Sequence, residues 1–271
     1  MKRNLLLGVI LIMTLCILTS CGGSKDTLKV AMECNYAPFN WTQSAESDRT
    51  VKIGTGGYAD GYDVQIAKKI ADGLGRELEI VKIEWDGLTP AIQAGTADLI
   101  IAGMSPTAER ALTIDFSDPY YESDLVIVVK KDGPYANVNS ISDFAGAKIT
   151  GQLNTFHYSV IDQITGVQKQ TAMETFSAMI VALNSGTIDG YVSERPGAKS
   201  AVSANPDLSF VAFSDGNGFE ASKEDVAIAV GLKKGSELTA EINKILAKIS
   251  EEERQTMMEE ALANQPLSDG E

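Results

Sequence analysis

Pro90-Ala91-Ile92-Gln93-Ala94-Gly95-Thr96-Ala97-Asp98-Leu99-Ile100-Ile101-Ala102-Gly103 is the stretch whose reading decides the fold. Leu88 to Ala94 has helical character, and Gly95 is a residue that ends a helix in the left-handed conformation. After Asp98 comes an unbroken apolar run, Leu99-Ile100-Ile101-Ala102. A short apolar run without alternation is expected of a strand covered on both faces, as in a parallel sheet between helices. Later in the chain the order recurs: AIQAGTADLIIAG at Ala91–Gly103 is echoed by ALNSGTIDGYVSE at Ala182–Glu194. Both read helix, Gly, Asp, strand, and two similar α/β lobes are the simplest account.

Working outward, Leu28–Met32 and Leu78–Ile83 read as strands of the first lobe. Between them Val64, Ile66, Ala67, Ile70 and Leu74 recur at helical spacing, with Asp63 as the expected N-cap and Gly73 or Gly75 as the stop. The second lobe opens at Leu125–Val129, continues through a capped turn at Ser142–Gly146 and the strand Lys148–Thr150, and has a helix at Thr175–Leu183. The tail reads as two helices split near Ser250, with Leu238, Ile242, Ile245, Leu246 and Ile249 on one face. Residues 42–60 are polar and Gly-rich, and are expected to form a surface hairpin near the cleft.

The N-terminus has an export signal. Lys2 and Arg3 precede the apolar run Leu5–Leu18, too short for a comfortable membrane span. Leu18-Thr19-Ser20-Cys21 resembles the bacterial lipobox, which implies cleavage after residue 20 and a lipid on Cys21; the alternative is an uncleaved anchor helix with a chance cysteine. Residues 21–26 would be a short tether. Cys34 is then the one cysteine left without a role, so no internal disulfide is expected. A formal charge of −14 argues against nucleic acid and against a basic membrane-binding face.

Three segments follow strands directly, where ligands collect in α/β folds: Glu33–Phe39, Gly103–Arg110 and Ser193–Pro196. A free amino acid needs a bidentate donor for its carboxylate, which Arg110 with Ser105, Thr107 and the loop backbone supplies. It needs an acceptor for its ammonium, which Glu194 supplies from the other lobe. Tyr36 and Trp85 are candidates for the wall around its side chain. His157, the only histidine, reads as a surface or structural residue, and Cys34 as an incidental thiol.

The order Gly61-Tyr62-Asp63-Val64, Pro90 through Asp98, Gly103-Met104-Ser105-Pro106-Thr107-Ala108-Glu109-Arg110 and Asp115-Phe116-Ser117-Asp118-Pro119-Tyr120-Tyr121 resembles the polar amino-acid group of extracellular solute-binding proteins, family 3. The resemblance implies a two-lobed periplasmic-binding-protein-like fold, each lobe a mixed sheet flanked by helices. Residues 27–122 and 224–271 would build lobe 1 and residues 123–223 lobe 2, with hinge crossings at 120–124 and about 222–226. It implies ligand roles for Arg110, Ser105, Thr107, Glu194, Tyr36 and Trp85, with Gly103 and Met104 in the same loop. Gln152, Thr155 and Phe156 would form the second lobe's ligand loop. That loop commonly has Gly before the Thr, and here it is Asn154, which puts the contacts of Thr155 and Phe156 in doubt. The implied partners are a free amino acid and an ABC permease with its ATPase; the protein would act as a monomer on the outer face of the cell membrane, with no cofactor, metal or catalysis. Glu33, in the loop approaching the ligand side chain, favours a cationic one. Arginine ranks first, then lysine or histidine, then cystine or glutamine. The rival readings are a dehydratase- or lyase-like enzyme on the same fold and a ligand-gated sensor domain.

Overall fold

The computed structural model describes residues 26–54 and 56–266. The signal, the lipobox cysteine and most of the tether lie outside the described residues. In chain order the strands are β1 (Thr27–Met32), β2 (Asn35–Tyr36), β3 (Asn40–Gln43), β4 (Val51–Lys52), β5 (Tyr58–Asp60), β6 (Glu77–Lys82), β7 (Leu99–Ile100), β8 (Ile114–Glu122), β9 (Leu125–Lys130), β10 (Lys148–Thr150), β11 (Gln168–Lys169), β12 (Gly190–Glu194), β13 (Leu208–Ala212) and β14 (Ala227–Lys233). The helices are α1 (Tyr62–Leu74), α2 (Trp85–Ala94), α3 (Phe156–Ser159), α4 (Phe176–Ser185), α5 (Arg195–Ala204), α6 (Lys223–Val226), α7 (Leu238–Leu246) and α8 (Glu251–Asn264).

Two five-stranded sheets carry the fold, ordered β6-β1-β7-β14-β8 and β11-β10-β12-β9-β13. In each, the first three strands are parallel and the last two run antiparallel to their neighbours. The chain leaves the first sheet through its edge strand β8 and returns as β14; it arrives in the second as β9 and leaves by its edge strand β13. The two crossings lie side by side: Ser123 N–H donates to the Val226 carbonyl at 3.1 Å.

The matching stretches fold alike down to single hydrogen bonds. Gly95 (φ 73°) and Gly186 (φ 78°) end α2 and α4 in the left-handed region. Asp98 accepts the Lys29 N–H and Asp189 the Lys148 N–H, each at 2.8 Å, tying the incoming turn to the neighbouring parallel strand. The apolar run is buried throughout, from Leu99 to Ala102.

One local expectation changes. Gly61, not Asp63, is the N-cap of α1. Asp63 is fully buried and accepts from Asn40 at 2.8 Å and from the Tyr120 hydroxyl at 2.7 Å. Of the two candidate stops, Gly75 ends the helix, while a Cβ on Gly73 would meet Ile245 at 2.7 Å. Residues 42–60 hold the expected hairpin, β4 paired antiparallel with β5, and β5 pairs on with β3 and β3 with β2 to make a small sheet. Arg49 carries that sheet to the C-terminal helix by pairing with Glu260 at 2.7 Å. As expected, the tail divides at Ser250, which caps α8 through the Glu253 N–H.

Candidate functional site

The lobes meet along a cleft lined by strand ends. From the first lobe come Tyr36, Trp85, Gly103, Ser105 and Arg110; from the second, Gln152, Thr155, Phe156, His157 and Glu194. The cavity they enclose at the centre measures about 10 Å³, close to what one water needs. It shares Trp85, Arg110, Thr155 and Phe156 with an outer vestibule of about 710 Å³. A second recess, of about 520 Å³, lies at Tyr36 between Trp41 and Lys82 of lobe 1 and Phe176 and Ala201 of lobe 2.

Arg110 stands at the start of the short 3₁₀ turn after the Gly103 loop. One arm of its guanidinium donates to the Ser105 carbonyl at 2.9 Å, the other crosses the cleft to the Asn154 carbonyl at 3.0 Å. The group lies 5.0 Å from the Trp85 ring centroid, a cation–π position. Burial lowers its pKa to about 10, so it stays charged. The guanidinium pairs with backbone carbonyls rather than with the neighbouring Glu109, so a carboxylate entering here would gain a charge-assisted fork in place of neutral acceptors.

Glu194 ends β12 and precedes helix α5. It is 3% exposed. Its Oε2 accepts the Tyr36 hydroxyl from the opposite lobe, and its Oε1 lies 2.8 Å from His157 Nε2. Burial pushes the Glu194 carboxyl up, but the His157 charge and the hydrogen bonds from His157 and Tyr36 outweigh it and hold the group below the usual carboxylate range. An anion at the foot of a helix also gains from the helix dipole. Arg195, next in the chain, pairs with Asp124 instead.

Glu33 is 3% exposed and lies just outside the ring that lines the cavity. Its Oε1 accepts from Gln152 Nε2 at 3.4 Å. Burial raises its pKa to about 7, against the Gln152 hydrogen bond, with Glu84 and Asp86 adding repulsion. A cation placed beside it would reverse that shift. Met104 and Thr107 line the vestibule rather than the central cavity. Thr107 Oγ1 accepts the Arg110 N–H at 3.4 Å. Tyr36, expected as a wall, is among the residues lining the cavity; it also stacks on Phe176 at 4.3 Å and donates its hydroxyl to Glu194.

The family model for bacterial extracellular solute-binding proteins, family 3, matches residues 28–262. The chain belongs to that family. It is 29% identical over 260 residues to the arginine-binding extracellular protein ArtP of Bacillus subtilis (strain 168), covering 93% of this chain and 94% of ArtP. It is 32% identical over 191 residues to a probable histidine-binding protein of Campylobacter jejuni, covering 70% and 69% of the two chains. Among solved structures it is similar to an amino acid ABC transporter substrate-binding protein from Streptococcus pneumoniae bound to L-arginine. There the TM-score is 0.75 and the identity 30%, covering 88% of this chain and 94% of that one.

Within this family-3 chain, one site residue escaped the sequence reading. His157 is a buried partner of Glu194; the available signal was its place directly after Phe156. Asn154 sits at φ 56°, in the left-handed region. That accounts for glycine being common there and for asparagine, which tolerates this region, replacing it. Thr155 and Phe156 therefore keep their places on the cavity wall. Cys34, also at positive φ, is buried beside the second recess, and burial pushes its thiol up to about 12; such a thiol is a poor nucleophile. Among the described residues no cluster of three or more His, Cys, Asp or Glu could hold a metal, and no helix is long and apolar enough to cross a membrane.

Proposed function

We propose that this protein captures a free amino acid between its two lobes and delivers it to an ABC permease. Supporting this is one observation above all: a half-buried guanidinium on lobe 1 and a buried carboxylate on lobe 2 line the same cavity. In this reading the ligand carboxylate replaces the Asn154 carbonyl on Arg110, assisted by the Ser105 hydroxyl. The ammonium takes up Glu194. The side chain runs toward Trp85, Gln152 and Glu33. The cavity must widen to admit it, so the lobes part and close again around the ligand. A lipid on Cys21 would hold the exported monomer at the outer face of the membrane, beside the permease and its ATPase.

A cationic side chain fits best, with L-arginine first, because among the described residues no cation pairs with Glu33, and Glu84 and Asp86 add to the negative field. The arginine-binding relatives favour the same choice. Calorimetric titration with arginine, lysine, histidine, glutamine and cystine, on wild type and Glu33→Gln, tests it. Arginine should bind tightest, and Glu33→Gln should weaken it far more than glutamine. A wild type that prefers a neutral or acidic amino acid removes the assignment. Glu33 near neutrality and the His157–Glu194 pair also suit acid–base chemistry, which supports the second reading, an enzyme on this fold. Chemical change in an amino acid incubated with the protein would favour it over capture.

A further inference from the structure

Outside the residues that line the central cavity, the lobes are joined by side chains at both of its open ends. At the vestibule, Asn154 Nδ2 of lobe 2 donates to Asp86 Oδ1 of lobe 1 at 2.8 Å. The left-handed backbone at Asn154 aims the carbonyl at Arg110 and the side-chain amide at Asp86. At the opposite recess, the Ser200 hydroxyl donates to Gln265 Oε1, and Gln265 Nε2 donates back to the Ser200 carbonyl at 3.4 Å. Ser200 lies on α5 of lobe 2, 7% exposed. Gln265 follows α8, which is fixed to lobe 1 through Arg49–Glu260 and through Arg254 donating to the Pro119 carbonyl, and it is 5% exposed.

We infer that Asn154–Asp86 and Ser200–Gln265 are a pair of clasps that set how tightly the lobes close, independently of which amino acid lies between them. Neither pair lines the central cavity, and removing the Asn154 amide or the Ser200 hydroxyl leaves every charged group, Asp86 included, in place. Each bridges two bodies whose chain connections are two adjacent strand crossings, so parting the lobes breaks both. The Ser200 clasp is the stronger, since its groups are buried and separation must rehydrate them or leave them unpaired. The Asn154 clasp is exposed, and water competes for it.

This inference rests on the two-lobed capture reading but not on the identity of the ligand, so its first test needs no ligand. Asn154→Gly keeps the left-handed backbone and deletes only the side-chain arm. Ser200→Ala deletes the other clasp's hydroxyl. The radius of gyration of the ligand-free full-length protein, by small-angle scattering, should increase from wild type to either variant and again in the double variant, while thermal unfolding stays cooperative. Where the ligand-free molecule is already partly open, the loss appears as weaker binding. That loss is about three- to tenfold per clasp, by the same factor for every amino acid bound. If Ser200→Ala does not fold, Asn154→Gly alone carries the test. The inference is overturned if neither radius nor affinity moves in the double variant, or if the loss is confined to one amino acid. Failure of wild type to bind any amino acid would sink the capture reading and leave the scattering result standing.

Discussion

The turns leading into β7 and β12 are built alike and deliver opposite charges. Each follows a helix ended by a left-handed glycine, and each carries an aspartate that accepts the N–H of the adjacent parallel strand. Beyond the strands they part. After β7 the chain turns through Gly103 at φ 61°, where a Cβ would meet the Tyr36 ring at 3.0 Å, and runs on to the Arg110 guanidinium. β12 itself ends in the buried carboxylate of Glu194, directly before α5. The shared part is backbone chemistry that any parallel strand entry needs. The differing part is one or a few residues at the strand's carboxyl end, where side chains face the cleft. One scaffold used twice thus gives a dipolar slot, cationic on one wall and anionic on the other.

If that contrast carries binding, its two poles should fail alike. Arg110→Ala and Glu194→Gln should each lower amino-acid affinity at least tens-fold, from roughly 2–5 kcal/mol for breaking a buried charge pair. The loss should be equal across ligands, since every free amino acid carries both ends. Arg110→Lys should recover only part of it, because a point charge cannot make the fork. A calorimetric loss confined to one pole would leave the slot one-sided.

Next in size is the pH response of the acidic groups behind the slot. Glu33 is raised from 4.5 to about 7, chiefly by burial. The folded state therefore holds a proton that the unfolded chain releases, and ligand-free stability should fall as pH rises from about 4.5 to about 7. Asp63, raised by burial from 3.8 to about 6, acts in the same direction over a lower window. Glu33→Gln should flatten the upper part of the slope in chemical denaturation. A bound cationic ligand should flatten it too. An unchanged slope in the variant would assign the titration to another group.

The smallest effect sharpens the shared half of the comparison. Asp98→Ala and Asp189→Ala each remove the acceptor of one strand N–H, and each should cost about 1–3 kcal/mol of stability. The two losses should match within about 0.5 kcal/mol and leave amino-acid affinity unchanged while the protein is folded. Unequal losses by urea titration would mean the two units are alike in outline only.

The scaffold was legible because its signals are local. Helix-stopping glycines, the unbroken run at Leu99–Ala102 and the Ser250 cap each report on neighbours in sequence, and the structure has all of them. Arg110 and Glu194 could be placed because one closes the loop that follows a strand and the other ends a strand. What was not legible depends on distant residues. Asp63 looked like a cap, yet its partners Asn40 and Tyr120 reach it only through the tertiary fold. Tyr36 was read as a wall, but its stacking on Phe176 of the other lobe comes only with the tertiary fold. His157 carries no local pattern that separates a surface imidazole from one buried against a carboxylate on β12.

The most direct test of the dipolar slot is calorimetric binding of the best-bound amino acid against its decarboxylated amine, on wild type and Arg110→Ala. The amine keeps the side chain and the ammonium and loses only the group assigned to Arg110. Wild type should bind the amine at least tens-fold more weakly, and Arg110→Ala should bind amine and amino acid about equally. An amine that binds wild type as tightly as its amino acid would contradict the account.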